Sequence, residues 1–182
     1  MLAALLAGCA SSLTPLTAEQ ENGLNEAQRV ADLVTKTYGV PRVRVYAASL
    51  GPSTAGRYSY QYDWIFIRPE SLTGKRLLVL ISHELGHATL GHRPTEDAGV
   101  ERERLANRRG VEILIRFLGM SERDALETYA GYLIDANKFR HGRDVLIPPG
   151  HLLPCEELRE LWTGFGQTAP ACEAVTAAPK PQ

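Results

Sequence analysis

The stretch LISHELGHATLGH, residues 80–92, constrains this chain more than any other part of the sequence. Its apolar residues recur at helical spacing, and we expect a helix over about residues 74–90. His83 and His87 are four apart, so both imidazoles project from one face of that helix, with Glu84 between them. Two imidazoles at this spacing can bind one metal ion, and the intervening glutamate can act as a general base. The stretch therefore predicts a metal site.

Two histidines do not complete a catalytic zinc site, which takes three protein ligands and leaves one position open. His92 follows Gly91, which we expect to end the helix, and its spacing from His87 does not match a ligand on the same helix face. We interpret His92 as a helix cap or as a group that supports a ligand. The alternative for the whole motif is a pair of histidines that bind no metal.

Glu103 is the predicted third ligand. A helix that follows Pro94 and ends near Gly119 has an apolar stripe, and Glu103 lies in the middle of it, whereas Glu101 lies on the charged face. A carboxylate on a core-facing stripe is costly unless it is paired or binds a metal. The alternative is an ion pair between Glu103 and a nearby arginine.

Asn107, one turn after Glu103, could accept a hydrogen bond from the second ring nitrogen of a ligand histidine and fix its tautomer. The alternative is a bond to nearby backbone.

The two motifs together, His83-Glu84-Leu85-Gly86-His87 and Glu103-Arg104-Leu105-Ala106-Asn107, resemble those of the gluzincin zinc peptidases. The similar families are that of HtpX and the CAAX prenyl protease, and that of ImmA/IrrE, over about residues 60–118. The resemblance implies one zinc ion per chain, a polypeptide substrate and Glu84 as general base. It also implies an α+β fold: a small zincin-like domain with a short, mostly antiparallel sheet packed on an active-site helix and a glutamate-bearing helix.

Gluzincins commonly use a tyrosine, histidine or arginine outside the two motifs to stabilise the oxyanion. Tyr129, Tyr132, His141 and His151 are the candidates, and His141 and Tyr132 rank first because they follow the two metal-site helices. For each of the four, a purely structural role is the alternative.

Other elements follow from caps and periodicity. Thr17 and Gln20 fit a capping box that starts a helix over about residues 18–38, and residues 42–48 alternate as a strand. Residues 57–67 place aromatic side chains at every second position and are predicted to form one strand, whose aromatic row either lines a cleft or packs against helices. Ser121 caps a further helix, to about residue 137.

The N-terminus resembles a bacterial lipobox, in which Cys9 would carry lipid. Residues 1–10 are apolar but too short to span a bilayer. The resemblance implies a lipid-anchored envelope protein facing the periplasm, and Ala10 after Cys9 favours the outer membrane. The alternative is an apolar N-terminus with a buried cysteine.

Cys155 and Cys172 remain as an even pair if Cys9 is lipidated, and an oxidising periplasm would let them form a disulfide. The alternative is two free thiols. The segment that they bracket is rich in Pro, Gly and Ala and is expected to lack long periodic structure.

At 182 residues the chain is long enough for one domain. The predicted division is a signal remnant over 1–9, a linker over 10–17, a peptidase-like domain over 18–167 and a tail, disordered in part, over 168–182.

A formal net charge of −1, with no basic excess, argues against nucleic acid as a partner. We therefore expect a zinc-dependent endopeptidase of the envelope. Two alternatives are a lipoprotein whose zinc site serves binding or assembly, and a latent peptidase whose residues after about 145 cover the cleft.

Overall fold

The computed structural model describes residues 15–51, 54–93, 99–140 and 152–172. These residues form an α+β structure with five α-helices, a three-stranded mixed sheet and one short 3-10 helix at Pro69–Ser71. The elements in chain order are α1 Ala18–Tyr38, β1 Arg44–Ala47, β2 Gly56–Ser59, β3 Trp64–Ile67, α2 Gly74–Thr89, α3 Gly99–Leu118, α4 Glu122–Arg140 and α5 Pro154–Gly164. The predicted signal remnant, Cys9, most of the linker and most of the tail lie outside the described residues.

The ends of α1 confirm the predicted helix. Thr17 accepts a hydrogen bond on Oγ1 from the Gln20 N–H at 3.3 Å, and the Thr17 N–H donates to Gln20 Oε1 at 2.9 Å. Gly39 ends the helix in the left-handed region, at φ 66°. Ser121 likewise accepts from the Asp124 N–H at 3.1 Å at the start of α4.

The prediction of one strand over residues 57–67 was wrong. A turn at residues 60–63, with Asp63 at φ 54°, divides the segment into β2 and β3, which pair antiparallel. The strand order is β1-β3-β2, and β1 runs parallel to β3. The sheet is therefore mixed rather than mostly antiparallel, because the hairpin inserts β3 between the two other strands.

The division also separates the aromatic row. Tyr58 lies opposite Ile65 and so shares the helix-facing side of the sheet, whereas Trp64 and Phe66 lie on the other side. There they contact the Tyr46 ring, at centroid distances of 5.2 and 6.0 Å. The row thus has no single role: Tyr58 packs partly against the core, and the later aromatics cover the outer sheet face.

Helix α2 lies between two apolar cores. One core joins α1, the sheet and one side of α2, and the other joins the opposite side of α2 to α3, α4 and α5. Helices α2 and α3 pack closely, because a Cβ atom on Gly86 would lie 2.5 Å from the Ala106 carbonyl oxygen. This contact aligns the histidine-bearing helix with the glutamate-bearing helix.

The segment after residue 152 contains a helix that the sequence analysis missed. Pro154 is at the first turn of α5, where its missing N–H costs nothing. The buried side chains Leu158, Leu161 and Trp162 follow helical spacing. The predicted disulfide is present: Cys155 and Cys172 are bonded, with 5.6 Å between their Cα atoms, and attach the chain after α5 to its first turn.

Candidate metal centre

Three predicted ligand atoms converge between α2 and α3. The Nε2 atoms of His83 and His87 are 3.2 Å apart. Glu103 Oε2 lies 3.1 Å from the first and 3.2 Å from the second. His83, His87 and Glu103 therefore form a cluster that could hold a metal ion.

The spacing of these atoms fits a tetrahedral ion. Two ligand atoms at about 2.0–2.1 Å from zinc, separated by a tetrahedral angle, are about 3.3 Å apart. The three observed separations, 3.1 to 3.2 Å, are close to that value. Two imidazoles and one carboxylate are also ligands that divalent transition metals accept.

Asn107 sets the tautomer of His83. Asn107 Oδ1 lies 2.8 Å from His83 Nδ1, and an amide oxygen can only accept. Nδ1 therefore carries a hydrogen, and Nε2 is the ring nitrogen that faces the cluster. The hydrogen bond expected between Asn107 and a histidine of the motif is therefore present.

His92 supports His87 instead of joining the cluster. Its Nδ1 lies 3.0 Å from His87 Nδ1, and its backbone N–H donates to the His87 carbonyl at 3.0 Å. Burial, the charge of His87 and that of Arg102 lower the pKa of His92 to about 4. His92 thus caps the end of the helix through its backbone and contacts the ring of His87, a candidate ligand.

The choice between the two glutamates follows from burial. Glu103 is only 6% exposed, whereas the Glu101 side chain is 68% exposed and lies 3.3 Å from Arg104 Nη1. Arg102 Nε lies 3.9 Å from Glu103 Oε1. The two histidines are closer to Glu103 than Arg102 is.

The short distances within the cluster shift the pKa values of Glu103 and His83. Burial raises the pKa of Glu103, but the hydrogen bonds and charges of His83 and His87 outweigh it and hold that pKa well below the usual range. Burial lowers the pKa of His83, but Glu103 and the charge of Glu84 outweigh it and raise that pKa to about 9. Before a metal binds, a proton therefore occupies the cluster.

Glu84 is held by the sheet. It is 6% exposed, and its Oε2 accepts a hydrogen bond from the Tyr58 backbone N–H at 2.7 Å. A Cβ atom on Gly56 would lie 3.2 Å from Glu84 Oε1. Strand β2 thus runs directly along this carboxylate.

Glu84 and the cluster line one cavity of about 680 Å³. Its walls come from β2, α2, α3, α4 and the start of α5, which contributes Pro154 and Glu157. Of the oxyanion candidates, Tyr132 lines this cavity, and burial raises its pKa. Tyr129 also lines it but is fully buried, with its hydroxyl 3.2 Å from Ser82 Oγ. His141 and His151 lie outside the described residues.

Sequence reasoning did not predict the hydrogen bond from Tyr58 to Glu84 or the side chains that α5 contributes to the cavity wall. The Tyr58 N–H is 26 residues from Glu84 and belongs to the backbone, so no residue type marks it. The Leu158, Leu161 and Trp162 spacing was the available signal for α5.

Comparison of the chain with protein-family models, with curated proteins and with solved structures gave no match. Within the part of the chain that the structure describes, no helix is both long and apolar enough to cross a bilayer.

Proposed function

We propose that this protein is a zinc-dependent endopeptidase. The observation that carries the proposal is the convergence of His83, His87 and Glu103 at 3.1 to 3.2 Å, on the same cavity that Glu84 lines. Three protein ligands leave one position open for chemistry. The cavity, at about 680 Å³, has room for part of a polypeptide.

One zinc ion per chain, held by His83, His87 and Glu103, would supply Lewis acidity, which polarises a carbonyl oxygen and lowers the pKa of water. Asn107 keeps the Nε2 of His83 available as a ligand. Buried Glu103 supplies the negative charge that partly neutralises a divalent cation.

Glu84 is the proposed general base. It takes a proton from the water whose oxygen attacks the peptide carbonyl carbon, and it passes that proton to the amide nitrogen as the C–N bond breaks. The products are a carboxylate and an amine. Tyr132, which lines the cavity, is a proposed oxyanion donor, and His141 remains a proposed one from the sequence.

The arrangement of elements supports a zincin-like fold of the gluzincin type. One helix, α2, carries both histidines, and the next helix along the chain, α3, carries the glutamate. Strand β2 lies at the edge of the sheet and lines the cavity, where an extended polypeptide substrate could pair with it.

A lipid anchor at Cys9 would place the protein in the bacterial envelope, facing the periplasm, with the outer membrane favoured by Ala10. The Cys155–Cys172 disulfide supports an oxidising compartment.

A latent or non-catalytic zinc-binding lipoprotein is the second candidate. The observation that favours it is that Leu152, Pro154 and Glu157 line the metal-site cavity. In a latent peptidase, truncation before Pro148 raises the cleavage rate. An unchanged rate argues against the latent form.

The test of the peptidase proposal compares casein cleavage and zinc content in the wild type, Glu84→Gln and Glu101→Gln. Glu84→Gln should bind one zinc per chain and cleave nothing. Glu101→Gln, which alters an exposed carboxylate away from Glu84, should behave as the wild type. Proteolysis retained in Glu84→Gln contradicts the role of Glu84.

A further inference from the structure

The N–H of Tyr58 faces the open side of the sheet. Strand β2 is the outer strand, paired with β3 on its other side. The Ala55 carbonyl accepts from the Arg68 N–H at 3.0 Å, so the odd-numbered residues of β2 direct their backbone groups toward β3. Gly56 and Tyr58 therefore direct theirs toward the cavity.

This outward N–H is already in use, because it donates to Glu84 Oε2 at 2.7 Å. Gly56 makes the approach possible, since a Cβ there would meet Glu84 Oε1 at 3.2 Å and Leu80 Cδ2 at 3.6 Å. Strand β2 thus holds the Glu84 carboxylate by one backbone donor.

An extended peptide that pairs with β2 needs that same donor. Pairing uses the outward N–H and C=O of alternate residues, here those of Gly56 and Tyr58. A backbone N–H carries one hydrogen and makes one well-aligned bond. A peptide carbonyl that bonds Tyr58 must therefore displace Glu84.

We propose that the Tyr58 N–H is a shared donor, which holds Glu84 in the free protein and transfers to a substrate carbonyl when an extended peptide pairs with β2. This inference rests on the proposed function. The substrate then pairs with β2 in the same step that releases the Glu84 carboxylate toward the cluster. Tyr58 is a positioning residue, because it acts through Glu84.

The kinetic test compares Tyr58→Pro with Tyr58→Ala in the zinc-loaded protein, on casein. Both variants lack the phenol, whose hydroxyl donates to Asp63 Oδ1 at 2.8 Å, and only the proline also lacks the N–H. An edge strand tolerates proline. Relative to Tyr58→Ala, the proline variant should keep KM within about threefold, because it loses the bond to Glu84 in the free protein as well as the bond to substrate in the complex, and it should retain kcat. A tenfold fall in kcat with KM unchanged would mean that the N–H holds Glu84 during the reaction, and would overturn the transfer.

A second measurement does not depend on turnover or on a proline in β2. In the free zinc-loaded protein, Glu84→Gln should shift the NMR resonance of the Tyr58 amide, because that amide bonds the carboxylate. With a bound phosphinic pseudopeptide, whose scissile amide is a non-hydrolysable phosphinate, the same substitution should leave the resonance where it is. An equal shift in both states overturns the transfer. If the wild type cleaves no casein, the proposed function fails. The same NMR comparison of the wild type with Glu84→Gln, with uncleaved casein peptides added in place of the pseudopeptide, still decides the transfer.

Discussion

Asn107 Oδ1 lies 2.8 Å from His83 Nδ1 and joins the helix that carries Glu103 to the helix that carries both histidines. Because the bond fixes which ring nitrogen has the hydrogen, it prepares His83 to bind a metal through Nε2. The contact therefore couples the packing of α2 on α3 to the chemistry of the cluster.

Asn107→Ala should weaken metal binding about 10- to 100-fold, the usual effect of removing a hydrogen bond to a ligand histidine. Asn107→Asp is the matched control, since it keeps an acceptor at the same place and should bind metal within about threefold of the wild type. Competition with a chromophoric zinc chelator measures both. Equal affinities for Asn107→Ala and the wild type would show that the bond does not tune His83.

Glu103→Gln should lower zinc affinity by more than about 100-fold, because it removes a charged ligand itself. Glu101→Gln, on the exposed face of the same helix, should leave affinity unchanged and stability within about 0.5 kcal/mol. Zinc content after dialysis distinguishes the two. If the two variants keep the same zinc content, Glu103 is not a ligand.

Gly86→Ala should destabilise the protein by about 1–3 kcal/mol, since its Cβ would lie 2.5 Å from the Ala106 carbonyl oxygen and force α2 from α3. It should also weaken zinc binding, because Glu103 moves with α3. Gly131→Ala, in α4, has no atom within 4 Å of its new Cβ and should be neutral or stabilising by up to roughly 1 kcal/mol. Urea denaturation of both variants checks the free energies of unfolding, and similar values for the two would contradict this packing.

Metal binding should release a proton. The raised pKa of His83, about 9, means that its ring stays protonated through neutral pH until a metal displaces the proton. The stability that this charge adds before metal binds is complete below the unfolded pKa of about 6.5 and disappears as pH rises through about 9. Calorimetry at pH 7.5 in two buffers of different ionisation enthalpy should give about one proton per zinc, and less above pH 9. A binding enthalpy that is the same in both buffers at pH 7.5 would contradict the release of a proton.

The disulfide should stabilise α5 against the rest of the structure. A double variant, Cys155→Ala with Cys172→Ala, should lose roughly 2–4 kcal/mol, the typical value for a loop of this size. The separation is 17 residues. Because the disulfide attaches the chain after α5 to the first turn of that helix, limited proteolysis should cut the variant within α5 first. Unchanged resistance to proteolysis would mean that apolar packing alone holds the helix.

Local signals in the sequence predicted most of the helices and the cluster. The capping box at Thr17, the glycine after α1 and the stripe around Glu103 each express short-range physics, and those elements appear within a few residues of their expected ends. The turn at residues 60–63 was missed because an alternating pattern continues across it, and the antiparallel pairing of β2 with β3 is what shows that they are separate strands. The Tyr58–Glu84 bond joins β2 to α2 across 26 residues of chain, which no local pattern indicates.

The central claim is that a zinc ion at His83, His87 and Glu103 drives peptide cleavage. The most direct measurement is zinc per chain, together with casein cleavage before chelation, after removal of metal by 1,10-phenanthroline, and after zinc is restored. We expect one zinc per chain, loss of cleavage with its removal and recovery on its return. Cleavage that persists without zinc, or a chain that binds none, would contradict the account.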